Sequence, residues 1–149
     1  MKEFPSLNNQ LCFAIYETAG EFTKLYTSVL QPFGLTYPQY LVLLALWEKD
    51  EVSMKELGTR LGLGTGTLTP MITRMQDNGW VRKERSKEDE RKVFIYLEEK
   101  AHRNHLPITE QIAKEIQLCN ISLSEYDELM TRLNDLDRKL KERSKAVGE

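Results

Sequence analysis

Two thiols, Cys12 and Cys119, are the most reactive side chains in the 149-residue sequence. They stand 107 positions apart, which excludes a local Cys-x-x-Cys redox or zinc motif and a small disulfide scaffold. Two readings stay open for them: small structural hydrophobes or a reactive pair. His102 and His105 lie three apart, but no helical partner ligands stand out beside them, so a solvated helix face is expected and no metal or other cofactor is implied. Gly62-Leu63-Gly64-Thr65-Gly66 superficially resembles a phosphate-cradling loop. With no strand before it and no lysine after it, it reads instead as a tight turn between closely packed helices.

Net charge is −2, a balance that argues against a nucleic-acid partner until it is divided along the chain. Positions 53–96 hold nine Lys or Arg against six Asp or Glu, a net of +3, and the remainder carries −5. A basic module between acidic flanks is the pattern of a DNA-contact surface on a separate scaffold; a solvated mixed face is the alternative. With 40% apolar and 30% charged residues, the chain suits a single domain over 1–149, built from long helices with solvated faces. Positions 1–10 lack the basic-then-apolar pattern of a secretory signal. The longest apolar run, 41–47, is too short for a bilayer, so a cytoplasmic protein without membrane contact is expected.

The elements that must position these residues follow from periodicity and capping. Leu7, Leu11, Ile15, Phe22, Leu25 and Val29 recur at helical spacing and predict a long amphipathic helix over 7–30, ended by Gln31-Pro32-Phe33-Gly34. The nearly continuous apolar run over 37–47 predicts a short buried helix with Pro38 in its first turn. Ser53 caps a third helix, 54–61, with Glu56 in a capping-box pattern. Thr65 or Thr67 caps a fourth, which runs to Asn78 and stops at Gly79, with an irregularity near Pro70. Two β-rich runs, 80–84 and 93–97, predict a hairpin. A fifth helix runs from 98 to about 118, bent or interrupted at Pro107. A sixth starts at Ser122 or Ser124 and carries the stripe Tyr126, Leu129, Met130, Leu133, Leu136 and Leu140.

The expected fold class is mainly α (α+β): a winged helix-turn-helix over 37–99 flanked by outer helices over 7–36 and 100–147. The second helix of the pair fits a major groove and the hairpin reaches the adjacent minor groove. A winged helix needs only about half the chain, so the outer helices predict a homodimer interface; a cover for a monomer's core is the alternative.

Asp89-Glu90-Arg91-Lys92-Val93-Phe94-Ile95-Tyr96-Leu97 is similar to the wing signature of the MarR family of bacterial repressors. Leu57-Gly58, Leu61, Gly66-Thr67-Leu68-Thr69-Pro70-Met71, Arg74-Met75 and Gly79-Trp80-Val81 resemble its helix-turn-helix. Asn9-Gln10-Leu11-Cys12-Phe13, Tyr26 and Thr36-Tyr37-Pro38-Gln39-Tyr40 further resemble the organic-hydroperoxide-sensing branch called OhrR. The resemblance implies a transcriptional repressor rather than an enzyme, with Cys12 as peroxidatic thiol hydrogen-bonded by Tyr26 and Tyr37. It also implies a resolving Cys119 of the two-cysteine type; a bystander thiol is the alternative. Cys12 and Tyr26 are 14 residues apart, about 21 Å along a straight helix, so a Tyr26 that meets the thiol must come from a second subunit.

For DNA, the resemblance implies a double-stranded, pseudo-palindromic operator. Thr65, Thr67, Thr69 and Arg74 would serve the major groove and Arg91 at the wing tip the minor groove, with Arg85 and Lys87 as further DNA-binding residues and Asp89 orienting Arg91. Oxidation of Cys12 by an organic hydroperoxide to sulfenic acid, then an intersubunit disulfide with Cys119, would release the operator. A MarR-type repressor released by a small phenolic ligand, with structural cysteines, is the alternative. A thiol peroxidase is disfavoured because no thioredoxin-like βαβ pattern is present.

Overall fold

The structure, a computed structural model, describes residues 4–148. Its elements are α1 (Leu11–Leu30), α2 (Tyr37–Glu48), β1 (Val52–Ser53), α3 (Met54–Leu61), α4 (Thr65–Asp77), β2 (Val81–Arg85), β3 (Val93–Leu97), α5 (Glu99–Leu118) and α6 (Leu123–Ala146). Two compact units divide between Ile112 and Ala113. The fold is the expected winged helix-turn-helix, mostly helical with one small antiparallel sheet.

In the first unit α2 is the central helix. It buries Tyr40, Val42, Leu43, Ala45 and Leu46, as an almost wholly apolar sequence must. Its start is fixed by a capping box in which Thr36 Oγ1 accepts from the Gln39 amide and Gln39 Oε1 accepts from the Thr36 amide. Leu57 from α3, Leu68, Ile72 and Met75 from α4, Trp80, and Ile95 from β3 close the core, each at most 1% exposed. Trp47 ties α2 to α5: its indole N–H donates to the Ala101 carbonyl at 3.2 Å and its ring stacks on His105 at 4.1 Å. No single described helix is long and apolar enough to cross a membrane. The bent pair α1 and α2 reaches that apolarity only together.

The hairpin acquires a third strand that two residues of sequence could not announce. β1 pairs with β3, giving the order β1-β3-β2, with Val52 opposite Ile95 and Lys83 opposite Ile95 on its other side. Asp50 Oδ1 secures the join by accepting from the amides of Glu51 and Leu97, both at 2.9 Å. Glu51 is consequently held at φ 57°, in the left-handed region.

Four sequence expectations are corrected. The first helix begins at Leu11, not Leu7: Leu7–Asn9 form a 3₁₀ turn and Gln10 is extended, because Asn9 bonds Ser6 and Gln10 bonds the Pro5 carbonyl instead of continuing a helix. The residue capping α4 is Gly64 rather than Thr65 or Thr67, and it offers no side-chain cap. Only half of the capping box at Ser53 forms: Ser53 Oγ accepts from the Glu56 amide, while the Glu56 carboxylate takes Lys49 at 3.0 Å. Of the bend or interruption expected at Pro107, the interruption does not occur: α5 is helical from Glu99 to Leu118. The carbonyl it deprives of a donor belongs to the exposed turn at Arg103, where water can serve. Ser122 is the cap of α6.

Gly58 sets how closely α3 and α4 approach. A Cβ there would lie 2.8 Å from the Leu63 carbonyl and 3.5 Å from Leu68, and Gly62 at φ 67° turns the chain between the helices. Gly58→Ala is expected to lower the unfolding free energy by about 1–3 kcal/mol in urea titrations. Glu51→Gly should raise it by about 1 kcal/mol, since glycine carries no penalty at positive φ. A Gly58→Ala protein as stable as the parent would show that this contact does not limit the packing.

Candidate nucleic-acid interface and thiol site

Strand alternation sorts the charges of the wing. Along β2, Val81, Lys83 and Arg85 share one face, and Arg82 and Glu84 the other. On the outer face Arg82 donates to Glu84 at 3.0 Å, lies 3.7 Å from Glu98 and sits over the Tyr96 ring at 4.4 Å. The hydrogen bond to Glu84 is the chief reason its guanidinium is held still more firmly charged than usual. The opposite face opens on a groove between α3, the first turns of α4 and the wing. Lys55, Lys83, Arg85, Arg91 and Lys92 line this groove with Thr65 and Thr69, and no carboxylate does. Arg91 is paired with Asp89 outside this lining, and the other four cations make the groove a site of positive potential.

The wing loop is built before any ligand arrives. Ser86 and Lys92 close it backbone to backbone at 2.8 Å, Ser86 Oγ accepts from the amides of Glu88 and Asp89, and Arg85 donates to the Glu90 carbonyl at 2.6 Å. Asp89 Oδ1 accepts from both the backbone N–H and the Nε of Arg91, at 3.1 and 3.2 Å. The backbone bond is the larger cause, and the side-chain bond the next, of a carboxyl held below its ordinary pKa. The root of the wing is fastened to α4, where Gln76 Oε1 accepts from the Lys83 amide at 2.7 Å and Thr73 Oγ1 accepts from Lys83 Nζ at 3.0 Å.

Of the residues expected at DNA, Thr65, Thr69, Arg85 and Arg91 are thus gathered in one groove. Thr67 and Arg74 are exposed elsewhere on α4, Lys87 is exposed in the wing loop, and Asp89 is engaged by Arg91. Lys55, Lys83 and Lys92 were not singled out in the sequence. The alternation of β2, read outward from Arg85, was the signal available for Lys83.

Cys12 is exposed at the second position of α1, where the first-turn amides have no helical acceptor. Tyr26 and Tyr37 stack face to face at 4.8 Å, flanked by Phe22 and Tyr40. Because α1 is one unbroken helix, this aromatic cluster stands about 21 Å along it from Cys12. Cys119 is exposed just beyond α5 and its thiol faces the Glu115 carbonyl at 3.5 Å; both cysteines are free thiols.

The fold and this groove define a winged helix-turn-helix transcriptional regulator. The chain belongs to the MarR-type family described as transcriptional regulator SarA/Rot, whose profile matches residues 24–108. It is 53% identical over 95 residues to the HTH-type transcriptional regulator TtmR of Methylorubrum extorquens (strain PA1), across 64% of this chain and 49% of TtmR. It is 50% identical over 93 residues to the organic hydroperoxide resistance transcriptional regulator of Bacillus subtilis (strain 168), across 62% of this chain and 63% of that protein. These matches therefore span about half and somewhat under two thirds of the relatives' lengths. The structure of reduced AbfR bound to DNA superposes with a TM-score of 0.82 at 36% identity, covering 91% of this chain and 93% of AbfR. Disulfide-formed AbfR gives 0.69 at 36% identity, covering 93% and 92%.

The Asp89 contact has a defined pH behaviour. A carboxyl whose folded pKa is depressed contributes fully above its unfolded value and loses that contribution as pH falls through the folded one. The Asp89 carboxyl carbon should accordingly titrate below the ordinary value of about 3.9 in an NMR pH series. Arg91→Ala should return it toward that value, and a midpoint indifferent to Arg91 would refute the pairing.

Proposed function

We propose that the chain is a cytoplasmic, homodimeric repressor that binds double-stranded DNA at a pseudo-palindromic operator when reduced and leaves it when an organic hydroperoxide oxidises Cys12. The observation that carries the DNA reading is the groove lined by five cations and no carboxylate between α4 and the wing. Thr65 and Thr69 in that groove, with Thr67 and Arg74 exposed elsewhere on α4, serve the major groove. Arg85 and Lys87 follow phosphates, and Arg91, steadied by Asp89 and 92% exposed at its side chain, enters the minor groove.

In this reading residues 1–149 form one MarR-type domain, with 37–99 contacting DNA and 7–36 and 100–147 joining two subunits. Two features of α6 support the dimer. Leu129, Met130, Leu133 and Leu140 stay about half exposed along one stripe. Its charge is also segregated, −4 over 122–137 and +4 over 138–147, so opposite halves of two copies attract. A two-fold dimer matches half-sites about 34–36 Å apart.

The sensing chemistry needs the second subunit because the Tyr26–Tyr37 stack and Cys12 lie far apart along one α1. The Cys12 thiolate attacks a peroxide oxygen; the O–O bond breaks, the departing alkoxide takes a proton to become an alcohol, and the sulfur is oxidised to sulfenic acid. The thiolate of the partner's Cys119 then attacks that sulfur, the hydroxyl leaves as water on protonation, and an intersubunit disulfide forms. The hydroperoxide named for the Bacillus relative, and the reduced and disulfide-formed states of AbfR, support this reading.

Organic hydroperoxide should abolish operator binding by the wild type in fluorescence anisotropy, thiol reductant should restore it, and Cys12→Ser should stay bound. Non-reducing electrophoresis should show a linked dimer that is absent in Cys119→Ser. A linked dimer that persists there refutes the resolving thiol, and peroxide release of Cys12→Ser refutes the sensor. Arg91→Ala should weaken operator binding about tenfold or more, and unchanged affinity would remove the wing from the interface.

A further inference from the structure

Gly66 is the second residue of α4, and nothing within the fold asks for a glycine there. A Cβ built on it meets no atom within 4 Å, whereas the same atom on Gly58 collides with a carbonyl. Its φ lies outside the left-handed region that holds Gly34, Gly62, Gly79 and Gly148. Glycine is among the poorest helix formers, and here it stands four residues before Pro70, which already withholds the N–H that would bond the Gly66 carbonyl. The first turns of the helix thus accept two separate losses of local stability, and beyond the helix's own backbone and the adjoining residues no described residue lies where a Cβ at the first of them would point.

The surroundings point to what the missing side chain accommodates. Gly66 is exposed and shares a helix face with Thr69, three residues on, which lines the cationic groove together with Gly64 and Thr65. We propose that Gly66 is the point of closest approach between α4 and DNA: its bare Cα lets the recognition helix settle into the major groove until the duplex fills the space a side chain would take. Gly66 is then a positioning residue, which acts by setting the depth at which the neighbouring threonines meet base edges. The inference rests on the DNA-binding reading above.

A structural glycine and a positioning glycine respond oppositely to one substitution. Thermal unfolding and fluorescence anisotropy are measured for the full-length wild type, Gly66→Ala and Gly66→Ser, using a duplex selected by the wild type from a random pool and an unrelated duplex of equal length. Gly66→Ala is expected to raise Tm while weakening binding to the selected duplex by about tenfold or more, with a smaller loss on the unrelated duplex. Gly66→Ser should weaken binding at least as much. A lowered Tm would assign the glycine to the fold, and affinity within about twofold of wild type would show that DNA does not approach it; either result overturns the inference. A wild type that enriches no duplex overturns the DNA-binding reading itself.

Discussion

The spacing between the Gly58 Cα and the Leu63 carbonyl governs the half of the first unit that carries the cationic groove. With no side chain at position 58, α3 and α4 pack closely enough for Leu57 and Leu68 to be almost completely buried. α4 then extends Gln76 and Thr73 to the base of the wing. The direction of β2 is thereby tied to the direction of α4, and the groove between them has a fixed width. Positioning of this kind lets a loop as polar as 86–92 present its cations in one arrangement, because the amides of Ser86, Glu88, Asp89, Arg91 and Lys92 bond within the loop and its root is anchored outside it.

Electrostatics follows from that framework rather than from composition. The chain is acidic overall, yet the alternation of β2 turns Glu84 away with Arg82, and the wing loop consumes Asp89 on Arg91. What remains facing the groove is cationic. The same economy holds on α6, where Asp135 is held below its ordinary pKa first by Lys139 and then by Arg138. There Glu128, Asp135, Asp137 and Glu142 are paired within the helix, and its apolar stripe stays about half exposed.

Much of this was legible in the sequence because local rules were decisive. Ser53 three residues before Glu56, the apolar run of α2, Gly79 after α4 and the Val93–Leu97 run each had one strong reading, and each element is where that reading put it. The failures occurred where competing bonds were non-local or subtle. β1 is too short to have a pattern and exists because Asp50 bridges to Leu97 forty-seven residues away. The start of α1 was misplaced because Asn9 and Gln10 found partners behind them. Thr65 and Thr67 had the chemistry of caps, but the turn from Gly62 brings Gly64 to the capping position. Residue type alone does not single out a cation such as Lys83, whose place in the groove depends on which face of β2 it occupies.

The two tryptophans divide the protein's optical properties between two environments. Trp80 is sealed in the core beneath Lys100, whereas Trp47 stands half-buried between Tyr40 and His105, where α2 meets α5. Both indoles touch α5, Trp80 through Lys100 in the dry core and Trp47 through Ala101 and His105 at a half-buried junction. The protein therefore carries its own spectroscopic reporter for movement of α5 against α2, with no label added.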